Sequence, residues 1–399
     1  MSEPAAPRAK AGFHELDFYG VQDLLTEEEI MVRDQARAFC GERILPLVPA
    51  HWEAGTFPNE IVPELGEMGL LGPSIPEEYG GSGLGSVAYG LICQELERAD
   101  SGVRSFASVQ GSLVMYPIHA FGSEEQKQQW LPKLATGEVI GCFGLTEPDF
   151  GSNPGGMRTR CRRDGDDWIL NGQKMWITNG TGCGVAVVWA RDEQGHVHGF
   201  LVEGDRPGFS APEQKRKWSL RCSVTSELVL EDVRVPESNR LPNAKGLKAA
   251  LSCLTQARYG IAWGAVGAAQ ACFDEVRRYC LQREIFDKPL GAFQLTQAKL
   301  ADMASEITKG QLLVWRLGRL KEEGTMTPQQ VSMAKRNNVA MALDIARQCR
   351  SLLGANGITL EFQSGRHMCN LETVLTYEGT HEIHTLVLGE AVTGLSAYR

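Results

Sequence analysis

Trp168-Ile169-Leu170-Asn171-Gly172-Gln173-Lys174-Met175-Trp176-Ile177 marks a change of texture in this chain. Aromatic and β-branched residues flank an Asn-Gly pair, a pattern that predicts two short strands around a tight turn. Similar runs follow at Val185-Ala186-Val187-Val188-Trp189, Gly199-Phe200-Leu201-Val202 and Leu228-Val229-Leu230. Short strands separated by turn signals predict a small antiparallel barrel or sandwich. This β texture begins near position 140 and fades after Pro236. What lies on either side therefore decides the fold class.

Upstream, the chain reads as helix. Thr26-Glu27-Glu28-Glu29 has the form of a capping box and opens an amphipathic stretch through Ile30, Met31, Ala36, Ala38 and Phe39. A second helical pattern covers Tyr89 to Arg98 and stops at the breaker cluster Asp100-Ser101-Gly102. A third carries Val109, Leu113 and Val114, with Pro117 disturbing it. Downstream, residues 250–282, 292–322 and 328–353 repeat apolar residues at three- and four-residue spacing, the pattern of a helix bundle. Gly354-Ala355-Asn356-Gly357 ends the last of these, and a final helix is expected to start near Thr380-His381-Glu382. The order is α, then β, then α. It predicts an α+β protein with a helical N-terminal domain at 14–138, a β domain at 139–240 and a helical C-terminal domain at 241–399.

The bulk properties exclude several classes. The 399 residues are 43% hydrophobic and 22% charged, an ordinary globular composition with room for two or three domains. A net charge of −9 argues against nucleic-acid binding. The eleven cysteines are scattered, odd in number and form no C-x-x-C pair, so neither a metal site nor a disulfide framework is expected. No apolar run approaches the ~18 residues of a membrane span. The opening Met-Ser-Glu-Pro-Ala-Ala-Pro-Arg-Ala-Lys has no hydrophobic signal core and reads as an unstructured tail. A bacterial-type cytoplasmic protein is expected, with the mitochondrial matrix left open.

Tyr377-Glu378-Gly379-Thr380 places a carboxylate just before a glycine at the mouth of the last expected helix. Such a group can be mobile and partly desolvated, and desolvation raises a carboxyl pKa toward the range of a base near neutral pH. Read alone, the same glutamate could merely be favoured by the helix dipole.

Three stretches in register change that balance. Phe143-Gly144-Leu145-Thr146-Glu147-Pro148 with Gly151-Ser152, Lys174-Met175-Trp176-Ile177-Thr178-Asn179, and the Tyr-Glu-Gly-Thr segment resemble the acyl-CoA dehydrogenase family. The resemblance runs from about residue 20 to near the end of the chain. Within the family it is nearest the glutaryl-CoA dehydrogenase branch, through Glu95-Leu96-Glu97-Arg98, Asp100-Ser101-Gly102 and Ala257-Arg258-Tyr259-Gly260-Ile261-Ala262-Trp263-Gly264. It implies an acyl-CoA dehydrogenase fold with a middle antiparallel β-barrel domain and a C-terminal four-helix bundle, and Glu378 as the catalytic base. It also implies non-covalent FAD. Phe143, Leu145, Thr146, Gly151, Ser152, Trp176, Ile177 and Thr178 would line the flavin, together with Thr380, His381 and Glu382. Arg283 and Gln294 match positions on the diphosphate and adenosine side, supplied by a neighbouring subunit, so a homotetramer is implied. Phe286, Ser351 and Leu352 would also contact FAD, and Gly354 and Ala355 belong to a further FAD-contacting turn. By itself Trp176 could be a core aromatic, and Arg283 a solvated helix end.

For the substrate, the resemblance implies that Arg104, with Ser105, Ser108 and Glu97, meets a distal carboxylate. Ser152, Arg258, Tyr377 and Gly379 would complete the acyl-CoA site. A bidentate Arg–carboxylate pair orients as well as binds; a purely structural Glu97–Arg104 ion pair is the lesser alternative that the sequence leaves open. The leading expectation is oxidation and decarboxylation of glutaryl-CoA to crotonyl-CoA, with electrons passed to electron-transfer flavoprotein. The alternatives are a dehydrogenase or oxidase of another short or branched acyl thioester, and a non-catalytic acyl-CoA-binding protein of the same fold. Several positions depart from the family pattern: Val103, Asp149-Phe150, Asn153-Pro154-Gly155-Gly156, Phe286-Asp287-Lys288-Pro289 and Ala355. Leu290-Gly291-Ala292-Phe293-Gln294-Leu295 is also similar to a short-chain acyl-CoA oxidase.

Overall fold

The computed structural model describes residues 13–398, apart from the side chains of His14 and Glu15; the expected N-terminal tail lies outside the described residues. Among the described residues, seven α-helices precede the sheet: α1 (Glu27–Phe39), α2 (Val48–Ala54), α3 (Val62–Glu67), α4 (Ser86–Ala99), α5 (Ser101–Ser108), α6 (Tyr116–Phe121) and α7 (Glu124–Thr136). The expected capping box is present: the Thr26 hydroxyl accepts from Glu29 N at 3.2 Å, and the Glu29 carboxylate accepts from Thr26 N at 2.9 Å. Asp100 ends α4 and caps α5, its carboxylate accepting from Gly102 N at 2.7 Å. A π-helical segment at Val109–Met115 leads into α6, where Pro117 occupies the first turn and needs no partner for its missing N–H.

The stretch 167–178 is one strand, not two. The middle of the chain holds β1 (Gly141–Gly144), β2 (Arg160–Asp164), β3 (Asp167–Thr178), β4 (Val185–Arg191), β5 (Val197–Glu203), β6 (Phe209–Ser210) and β7 (Thr225–Pro236). β3 pairs with β7 from Asp167↔Pro236 to Thr178↔Thr225, with register shifts between Leu170 and Gly172 and between Lys174 and Ile177. The Asn-Gly pair is thus a bulge rather than a turn. Gly172 takes a φ of +148°, and a Cβ there would lie 2.6 Å from the Thr159 hydroxyl. Asn171 keeps the bulge in register by exchanging two 2.9 Å hydrogen bonds with Asp232 on β7. Pairing is mostly antiparallel, but β1 runs parallel to β4 and β2 touches β4 in parallel at Arg160↔Arg191. β4 therefore carries β5 on one edge and β1 then β2 on the other. Residues 145–159 leave the sheet where β1 ends.

The C-terminal part contains α8 (Gly246–Gln282), a small hairpin of β8 (Glu284–Ile285) and β9 (Lys288–Pro289), α9 (Gln294–Glu322), α10 (Pro328–Leu352), α11 (Gln363–Thr376) and α12 (His381–Thr393). That is one helix more than the four expected. α8 packs closely on α4. A Cβ on Gly264 would fall 2.0 Å from Glu97 Oε2, and one on Gly267 1.9 Å from Gln94 O. Glycine at these two positions is what lets the α4 backbone and the Glu97 carboxylate sit against α8. Among the described residues, no helix is long and apolar enough to cross a membrane.

Candidate active site

The turn between α11 and α12 carries Glu378. Tyr377 ends α11, Glu378 has φ +53° and Gly379 φ +91°, and the Thr380 hydroxyl caps α12 by accepting from Ile383 N at 3.2 Å. A non-glycine residue in the left-handed region costs about 1 kcal/mol and persists only where its surroundings fix it. Two cations do so, a half-buried arginine and a buried lysine. Arg258 on α8 donates from Nε to Glu378 O at 2.6 Å. Lys335 on α10 donates to Tyr377 O and, at 2.6 Å, to Gly379 O. The carboxylate has a buried Oε2 with no partner among the described residues. Burial raises the Glu378 pKa, while Arg104, Lys335 and Arg258 pull it back without cancelling the rise. The result is a desolvated carboxylate held by its backbone and free at its tip.

Arg104 on α5 is fully buried. Its Nε donates to Glu97 Oε2 at 2.6 Å and its Nη2 to the Tyr377 hydroxyl, while Nη1 has no partner. Ser101 donates to the other Glu97 oxygen at 2.8 Å, and the Ser105 hydroxyl lies 3.0 Å from that of Tyr377. Ser108 is buried and its hydroxyl is likewise unpartnered. Burial opposes the charge on Arg104, but Glu97 and Tyr377 together hold its pKa well above the ordinary value. The structural ion pair and a ligand-ready guanidinium are therefore both present in the same side chain.

A second cluster forms where β1 and β3 end. Met175 N donates to Thr146 O at 2.9 Å, joining the two stretches singled out in the sequence. Lys174 is buried and donates to Leu145 O at 3.1 Å and Glu147 Oε1 at 2.9 Å; Glu147 in turn accepts from the Arg158 and Thr159 amides. The bulge after Lys174, with Trp176 at φ +64°, turns Trp176 outward to 64% exposure instead of into the sheet core. Thr146 and Thr178 are half-buried beside it, whereas Phe143, Leu145 and Ile177 bury their side chains. Phe143 packs its ring on Trp189. Gly151 and Ser152 lie on the exposed loop above. There Phe150 fills the space over Gly156, where a Cβ would come within 2.2 Å of its ring. The departures at 150 and 156 are thus a matched pair.

The remaining expected residues sit elsewhere. Arg283, Phe286 (87% exposed) and Gln294 lie at the far end of α8 and the start of α9. Arg283 N donates to Tyr279 O at 2.7 Å, and Asn356 reaches the Tyr279 hydroxyl at 3.4 Å. The region of Ser351, Leu352, Gly354 and Ala355 is thereby brought beside Arg283. Thr380, His381 and Glu382 open α12 next to Glu378, and His381 Nδ1 is buried without a partner.

Lys335 went unnoticed in the sequence. Val331, Ala334, Lys335, Asn338 and Ala342 share the buried stripe of α10, so a lysine on an apolar helical face was the available signal.

Family profiles match the chain in three consecutive parts: the acyl-CoA dehydrogenase N-terminal domain at residues 26–138, the middle domain at 142–233 and the C-terminal domain at 244–393. The chain belongs to the acyl-CoA dehydrogenase family, whose members are oxidoreductases acting on CH–CH bonds. It is 37% identical over 369 residues to the mitochondrial short-chain specific acyl-CoA dehydrogenase of Mus musculus, covering 91% of this chain and 90% of that protein. It is also 37% identical over 372 residues to a probable acyl-CoA dehydrogenase of Bacillus subtilis (strain 168), covering 91% and 97%. Its structure superposes with a TM-score of 0.95 on a glutaryl-CoA dehydrogenase from Mycobacterium smegmatis in complex with FADH2, at 54% identity over 98% of this chain and all of that one.

Proposed function

We propose that this FAD-dependent enzyme oxidises and decarboxylates glutaryl-CoA, giving crotonyl-CoA and CO2. The observation that carries this reading is the unpartnered Nη1 of fully buried Arg104, close to Glu378. A buried donor without an acceptor is costly, and a carboxylate on the substrate would satisfy it. Charge supports the same reading. The Arg104 guanidinium, whose charge Glu97 and Tyr377 stabilise against burial, is the cation that a distal carboxylate would meet.

The residues fit FAD. An outward Trp176, the half-buried Thr146 and Thr178 hydroxyls and the open backbone at Gly151 form a face on which a flavin can lie. When bound there, FAD supplies the acceptor for the substrate's β-hydride. Glu378 takes the α-proton. Its own backbone N–H, which donates to no backbone carbonyl among the described residues, can polarise the thioester carbonyl. Arg104, with Ser105 and Ser108 near it, orients the distal carboxylate. Loss of that carboxylate breaks its bond to the γ-carbon, and the electron pair enters the conjugated thioester. The protonated Glu378 then returns a proton to carbon.

Arg283 lies 25 positions beyond Arg258, about 37 Å along a helix rising ~1.5 Å per residue. One FAD does not span that separation, which favours the sharing of each cofactor between subunits of a homotetramer. Electron-transfer flavoprotein is the proposed acceptor of the electrons, and 14–138, 139–240 and 241–399 are the proposed domain limits.

The deciding experiment is anaerobic mixing of the yellow enzyme with a panel of acyl-CoA esters. Glutaryl-CoA is expected to bleach the flavin fastest, with crotonyl-CoA and CO2 as products, and Arg104→Ala to abolish its advantage over butyryl-CoA. Equal bleaching by butyryl-CoA that is indifferent to Arg104→Ala points instead to a short-chain acyl dehydrogenase, the reading favoured by the Mus musculus relative.

A further inference from the structure

We propose that Lys335 of α10 is a positioning residue for the Glu378 carboxylate: it clamps the carbonyls on either side of Glu378, and its positive charge favours the ionised base. The inference rests on Glu378 being the base. Lys335 is 1% exposed and donates to Tyr377 O and Gly379 O, the two carbonyls that bracket the left-handed Glu378. With Arg258 on Glu378 O, the three carbonyls of the turn are held by two cations from two helices, Lys335 of α10 and Arg258 of α8. Two carbonyls could equally be satisfied by a neutral amide, without the desolvation cost of an ammonium. The charge is therefore the feature that needs a reason, and the adjacent carboxylate supplies one.

The groups facing Lys335 are few. Arg104 comes from α5, Arg258 from α8, Tyr377 and Glu378 from the turn, and His384 from α12. Burial, then Lys335 and Arg258, push His384 down to about 3, so it stays neutral; its Nδ1 lies 3.1 Å from the Ser332 hydroxyl. Burial, with Arg258 and Arg104, lowers the Lys335 pKa to about 7 against the pull of Glu378, and the two carbonyl acceptors favour the ammonium form.

The test uses the FAD-loaded enzyme with Lys335→Gln and Lys335→Arg. Flavin bleaching by glutaryl-CoA and by butyryl-CoA is followed across pH, alongside FAD content and melting temperature. Lys335→Gln is expected to retain FAD, to lose about 100-fold in limiting rate at neutral pH, and to shift its pH profile about one unit to the alkaline side. Lys335→Arg should keep the profile while losing part of the rate. Deuterium uptake at the α-carbon of acetyl-CoA, which has no β-hydrogen to lose, should fall in parallel, because it reads proton abstraction alone. An unmoved profile in Lys335→Gln overturns the proposal, as does a rate loss that merely follows FAD loss. Where Lys335→Gln does not fold, Lys335→Arg decides: a reduced rate with an unmoved profile supports the clamp, and an undiminished rate overturns it. Glu378→Gln keeps the two assignments apart. Bleaching that survives there removes Glu378 as the base, whereas an inactive Glu378→Gln beside an unmoved Lys335→Gln profile removes Lys335 alone.

Discussion

Glu378 combines two costs: a left-handed backbone and a buried carboxylate oxygen without a hydrogen bond. Neither is explained by packing, and both are what a proton acceptor aimed at a thioester requires. Glu378→Gln keeps the shape and removes the base. Flavin reduction by acyl-CoA is expected to fall about 10³-fold with FAD content unchanged, a comparison that stopped-flow and visible absorbance make directly. The pH dependence has a fixed sign. Glu378 acts deprotonated, and burial raises its pKa above the ordinary 4.5 against the pull of Arg104, Lys335 and Arg258. Below that raised pKa the base is protonated, so kcat/KM should fall on acidification with its acid limb above pH 4.5. An acid limb at 4.5 or lower would mean a solvated carboxylate and a different base.

At the scale of elements, the site depends on how α5 is set. Asp100 breaks α4 from α5 and accepts from Gly102 N at 2.7 Å, from Arg366 and from Asn370 Nδ2 at 2.8 Å, tying the start of α5 to α11. Asp100→Ala strips Arg366 of its buried counter-charge and should cost about 3–5 kcal/mol, read as a lower melting temperature. Asp100→Asn keeps the cap and should recover part of the loss. A wild-type melting temperature in Asp100→Ala would mean that α5 is held by other contacts. The sequence made Asp100-Ser101-Gly102 legible as a break because a cap residue and a glycine announce themselves locally. α11 was invisible for the opposite reason: its buried face is Ser364, Arg366, His367 and Asn370 as well as Leu371 and Val374, so no apolar period stands out. The Asn-Gly pair misled in a third way. It carries a turn signal, but Gly172 uses its φ for a bulge that β7 spans, and only pairing with a distant strand distinguishes the two. Glu378, Arg104 and Trp176 could be singled out as candidates because each sits in a short motif. Lys335 donates to a turn more than forty residues away, a contact that exists only in the packed bundle.

At the scale of the whole molecule, the proposed sharing of FAD between subunits yields a prediction that a single chain cannot satisfy. Arg283 and Glu378 lie near positions far apart along α8, so a site using both draws them from two copies. Arg283→Ala alone should release FAD on dialysis, because an exposed guanidinium suited to diphosphate is lost, and Glu378→Gln alone should bind FAD but not turn over. Co-expressed, the two inactive chains can assemble sites in which the Arg283→Ala chain contributes Glu378 and its neighbour contributes Arg283. Random assortment in a closed symmetric oligomer restores about a quarter of wild-type sites, measurable as regained flavin bleaching in the purified mixed assembly. If both residues served one site within one chain, every site would carry a defect and mixing would restore nothing. Regained activity would therefore locate the cofactor between subunits, and would make the exposed Phe286 and Gln294 parts of a neighbour's active site instead of bare surface.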